Sequence, residues 1–112
     1  MAEEKAYLDL REEDGLIRVS YAALGEIAAE AAQAVPGVAA LASVPQAAVK
    51  GVQIHLSEIG VCTMDVHILA AQGTVFSQTA KAVQRAVKLA VDAAAGIELA
   101  AVNVFVAGVA LR

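Results

Sequence analysis

The sequence predicts an α+β fold, a two-layer sandwich with a mainly antiparallel sheet and two amphipathic helices on one face. Two segments carry apolar residues at helical spacing, and several shorter runs alternate with the two-residue period of half-buried strands. Their order (strand, helix, short strand, hairpin, helix, strand) stacks naturally as one sheet under one helical layer. A chain of 112 residues fits a single domain, because a chain of this size buries roughly two thirds of the surface its unfolded form exposes.

The first fifteen residues read as an acidic, flexible leader, with residues 16–112 forming the domain. Residues 1–14 hold six acids and two bases, and the remainder six of each. Within it Tyr7, Leu8 and Leu10 can dock locally on a neighbouring surface. Residues 16–19 then form a short strand, and Ser20 is placed to cap a helix reaching about Ala34, since its hydroxyl can accept from a free first-turn amide. Leu24, Ile27, Ala28, Ala31 and Ala32 share one face of that helix, opposite Glu26, Glu30 and Gln33. Val35-Pro36-Gly37 ends it, because the residue before a proline is pushed out of the helical region.

Residues 38–41 form a short strand. After a loop with Pro45, residues 52–56 alternate apolar and polar. Cys62, Met64, Val66 and Ile68 alternate with Thr63, Asp65, His67 and Leu69, so the two runs read as a hairpin. A second helix starts from a cap at Thr74 or Ser77, turns Ala80, Val83, Val87, Ala90, Val91 and Ala94 inward, and stops at Gly96. Val102, Val104 and Val106 alternate with Asn103, Phe105 and Ala107 in a last strand. If the second helix crosses over between the hairpin strand and this one, the two are parallel.

Composition narrows the functional classes. The chain is 59% hydrophobic with mean hydropathy +0.64, yet charges or proline interrupt every apolar stretch before the roughly 18 residues a membrane span needs. Direct membrane insertion is not expected. The start, Met1-Ala2-Glu3-Glu4-Lys5, lacks the basic and then apolar character of a signal peptide, and one unpaired cysteine suits a reducing compartment. A cytoplasmic location is expected. Neither the acidic leader nor the neutral remainder favours nucleic acid as a partner.

Chemistry-bearing residues are few. His55, Asp65 and His67 project to one side of the hairpin and are weak metal candidates, but Cys62, the obvious fourth ligand, has the opposite parity. Solvated strand residues are the plainer reading. Cys62 reads as a small core hydrophobe. No glycine-rich phosphate loop, cysteine pair or serine elbow occurs, so the chain is expected not to be an enzyme and to need no cofactor. Lys81, Arg85 and Lys88 form a basic stripe on the exposed side of the second helix, the rim of a protein interface. Leu69 and Phe105 break the polar alternation of their strands and would form an apolar patch on the face away from the helices, a candidate surface for self-association.

These residues also carry a resemblance. Ile17-Arg18-Val19-Ser20, the helix end Ala34-Val35-Pro36-Gly37-Val38 and Gly51-Val52-Gln53-Ile54 resemble the alkaline shock protein family. So do Gln84, Ala86-Val87, Ala90-Val91, Gly96-Ile97-Glu98-Leu99 and the closing Val102-Asn103-Val104-Phe105-Val106-Ala107-Gly108-Val109. The resemblance covers about residues 16–110. It implies a cytoplasmic bacterial protein of Gram-positive type lineages, linked to envelope stress and homeostasis, without known catalytic residues, and able to reach the membrane through a small integral membrane protein. Ser77 stands where relatives often have proline. The competing reading is a small regulatory domain binding a ligand, a metabolic enzyme or RNA, since such sandwiches host many functions.

Overall fold

A computed structural model describes residues 7–111. The elements follow in the order β1 (Tyr7–Glu12), β2 (Gly15–Ser20), α1 (Tyr21–Gln33), β3 (Val38–Leu41), β4 (Val52–Leu56), β5 (Cys62–Ala71), α2 (Phe76–Ala95) and β6 (Ala101–Ala110). The fold is α+β, as the sequence predicts. β5 is the central strand: β3 and β4 run antiparallel to it, and β6 runs parallel. Because β6 lies along β5 from Thr63 to Ala71, β3 and β4 share the opposite edge, β4 against Cys62–Val66 and β3 against Ile68–Ala70. The parallel pair exists because α2 supplies the long crossover that such a pair requires.

Alternation along β5 sorts its side chains into two environments. Cys62, Met64, Val66, Ile68 and Ala70 are buried against Leu24, Ala28 and Ala32 of α1 and Val83, Val87 and Val91 of α2. Both helices therefore lie on one face of the sheet. Each fully buried leucine, valine or methionine stabilises this layer by about 1.5–3 kcal/mol. Ile97 and Leu99, in the connection before β6, join the same core, whereas Ala94 is exposed and does not take the inward place that its spacing predicts.

The ends of α1 match their local chemistry. The Ser20 hydroxyl accepts a hydrogen bond from the Ala23 amide at 3.0 Å, so Ser20→Ala is expected to lower stability by about 1 kcal/mol in urea titrations. The start of α2 differs from expectation. Its N-cap is Val75, without a side-chain bond, so neither Thr74 nor Ser77 caps it. Thr74 is engaged in the preceding turn, donating its hydroxyl to the Ala71 carbonyl at 2.8 Å. Gly96 closes the helix at φ 70°, its amide donating to the Asp92 carbonyl.

The leader is the principal correction. Tyr7–Glu12 is a strand, paired antiparallel with Gly15–Ser20 from Tyr7 opposite Ser20 to Glu12 opposite Gly15. Leu8 is buried and Leu10 packs against the core. On the other side of the ribbon Arg18 grips Asp9 through Nε at 2.8 Å and Nη2 at 3.2 Å and stands 5.0 Å from the Tyr7 ring centroid. Acid-rich composition concealed a short two-residue period, Leu8 and Leu10 inward against Tyr7, Asp9 and Arg11 outward. The folded unit thus reaches back to Tyr7; the part of the expected leader at residues 1–6 lies outside the described residues.

Candidate functional site: the outer face of the sheet

The face of the sheet turned away from the helices carries Thr63, Asp65, His67 and Leu69 of β5, flanked by Gln53 and His55 of β4 and by Asn103 and Phe105 of β6. Register decides who meets whom. Asp65 stands opposite Gln53 on one side and Asn103 on the other, and His67 stands opposite Phe105. Asp65 accepts from Asn103 Nδ2 through Oδ1 at 2.9 Å, while its Oδ2 lies 3.0 Å from His55 Nε2. Three strands are thereby tied through one carboxylate. His67 Nε2 lies 3.0 Å from Gln53 Oε1; a carboxamide oxygen only accepts, so this ring nitrogen carries the proton. Gln53 in turn donates to the Pro45 carbonyl at 2.9 Å.

The apolar members sit beside this polar lattice. His67 and Phe105 stack with centroids 4.7 Å apart and planes 14° from parallel. Phe105 nevertheless remains 46% exposed, because the imidazole covers one side of its ring and no helix covers the other. Leu69 is half-buried and reaches over Gly108, where a Cβ would stand 3.4 Å from its Cδ2. Both residues of the expected patch therefore lie on one uncovered face, with a histidine between them in register.

The three metal candidates share this face, as their parity predicts, but they do not converge. His55 meets Asp65, and His67 is turned to Gln53. Among the described residues no group of three or more His, Cys, Asp or Glu is arranged to hold a metal ion. Cys62 is on the opposite face, only 4% exposed, and burial pushes its thiol pKa up. A thiol held neutral is a poor nucleophile. Burial also raises the pKa of the Tyr21 phenol, with a smaller contribution from Cys62. Acids with raised folded pKa values contribute stability that is intact below their unfolded pKa and lost as pH rises through the folded value. Stability is therefore expected to decline above about pH 9, and Cys62→Val should flatten part of that decline in denaturation curves taken from neutral to alkaline pH.

Lys81, Arg85 and Lys88 are exposed on α2, and no ion pair holds them among the described residues. Between them Gln84 donates to the Val102 carbonyl at 3.0 Å, fixing this side of the helix against β6. Sequence reasoning passed over Gln53, Asn103 and Gln84 as functional groups. The first two do stand at outward parity in their strands, and that was the available signal.

The fold and this face define a class: a small α+β sandwich with a polar lattice across its uncovered sheet face. No helix among the described residues is long and apolar enough to cross a membrane. The chain belongs to the alkaline shock protein family, whose function is cell envelope-related; the family model matches residues 9–111. That match begins within β1, in keeping with a fold that includes the first hairpin. No curated protein and no solved structure matches the chain significantly.

Proposed function

We propose that this chain is a non-catalytic protein-interaction domain that serves the cell-envelope stress response or envelope homeostasis from the cytoplasmic side. It self-associates through the outer sheet face around Leu69 and Phe105 and meets the membrane through a small integral membrane partner. The observation that supports this reading is the uncovered face itself: a 46% exposed aromatic held in place by stacking on His67. An apolar side chain immobilised in the open is suited to a partner, since little further ordering is needed when it is covered.

Light scattering tests the self-association. Phe105→Lys is expected to reduce an oligomeric protein to the monomer while leaving the far-ultraviolet spectrum unchanged, because the side chain faces away from the core. A wild-type protein that stays monomeric at high concentration would remove the claim. Crosslinking in intact cells followed by membrane fractionation tests the second half; recovery with one small membrane protein is the expected result.

A further inference from the structure

We propose that the free edge of β6 takes up an extended, acidic segment of a partner protein as an added strand, with Lys81 and Lys88 receiving its carboxylates. This inference rests on the interaction-domain reading and assigns it a second surface, the edge of the sheet in addition to its face.

Among the described residues β6 pairs only with β5, so its other edge is open. The Gln84 bond to the Val102 carbonyl shows which way that residue points, namely away from β5. Backbone groups alternate along a strand, and the regular register with β5 holds from Ala101 to Val106. The amides and carbonyls of Val104 and Val106 therefore also point outward, with no strand to meet them. Soluble proteins usually blunt such an edge with charge, proline or a very short strand. β6 is ten residues long and contains no charged residue and no proline between Ala101 and Ala110.

The charge beside this edge selects the occupant. On a helix surface the neighbours of Gln84 three and four residues away are Ala80, Lys81, Val87 and Lys88; Val87 is buried in the core and the two lysines are exposed. Gln84 reaches the β6 edge, so the two lysines stem from the same side of α2, within reach of a strand added there, with Arg85 one step further round. None of the three is ion-paired among the described residues. A second copy pairing β6 to β6 about a two-fold axis would bring its own Lys81 and Lys88 against these, like charge against like. An added strand whose side chains on the helix-facing side are Asp or Glu meets no such repulsion. Its main chain would bond Val104 and Val106, the general mode by which extended peptides complete an open sheet.

The test uses the full chain and two blocked synthetic peptides the length of β6, one alternating valine with glutamate and one alternating valine with lysine. Amide hydrogen exchange is followed residue by residue. The glutamate peptide is expected to slow exchange at Val104 and Val106 by roughly tenfold or more, the lysine peptide is not, and Lys81→Glu with Lys88→Glu should invert the preference. Val104→Pro, which removes an outward amide, should abolish protection at Val106; the exposed lysine variants keep the test decisive if that protein fails to fold. Equal protection by both peptides, none by either, or protection on another strand would overturn the proposal. So would binding of poly(U) with the same lysine dependence but no amide protection, which would mark a general polyanion surface. Loss of the edge with dissociation by Phe105→Lys intact would leave the interaction-domain reading standing; the reverse result would leave only the edge.

Discussion

Gly51→Ala is expected to lower stability by about 2–4 kcal/mol, the sum of a left-handed backbone penalty and overpacking against rigid neighbours. Gly51 has φ 82°, and a Cβ there would stand 2.8 Å from Leu41 Cβ, 3.1 Å from the His67 carbonyl oxygen and 3.2 Å from that of Ala42. Two of these three neighbours are backbone and cannot step aside as a flexible side chain would. The position is also the joint of the sheet. His67 donates its amide to the Gly51 carbonyl at 2.8 Å, and Ala42 donates to the His67 carbonyl at 2.8 Å, so β3 and β4 are both tied to β5 at one residue. Shifting Gly51 disturbs both attachments at once. For a domain of this size the melting temperature should fall by on the order of 10–25 °C. Urea titration gives the free energy, and faster amide exchange at Ala42 and His67 would locate the damage. A loss below about 1 kcal/mol would mean that the joint has slack.

Met64→Ala is expected to cost about 2–5 kcal/mol, the usual range for deleting a fully buried side chain and leaving part of its volume empty. Met64 is 0% exposed and stands on the central strand between Ile54 of β4 and Val102 of β6, under both helices. The informative comparison is its neighbour. Thr63 faces the other way and is half-buried, so Thr63→Ala should change stability by only about 0.5 kcal/mol. Chemical denaturation of the two variants under identical conditions measures the difference directly. Equal losses would contradict the assignment of inner and outer faces on which the whole account of the site depends.

Much of the architecture was legible because its causes are local. β4 and β5 were readable from alternation, since a strand with one covered face must repeat with period two. The helix α1 was readable from its stripe and from Ser20, and the end of α2 from Gly96. The parallel pairing of β5 with β6 was legible only as a condition, that α2 crosses over between them within one sheet, and the structure meets that condition. What escaped was β1, where three of the six residues are charged and only Leu8 and Leu10 marked the buried side. The start of α2 escaped as well, because Thr74 had a nearer acceptor in Ala71.

The outer face divides in the same way. Parity alone placed His55, Asp65, His67, Leu69 and Phe105 on one side of the sheet, because a strand's geometry leaves no third choice. Which of them touch was decided only by the register between strands. Asp65 meets Asn103, 38 residues away, and His67 stacks on Phe105, also 38 positions further along. Nothing in either local stretch specifies that meeting; it follows from how α2 returns the chain to the edge of β5. By itself the sequence determined most of the elements and the direction most of their side chains face, since both depend on neighbours within a few bonds. Only the tertiary structure decided the partners, the joint at Gly51 and the open edge of β6, because those depend on contacts that exist only after distant segments have packed.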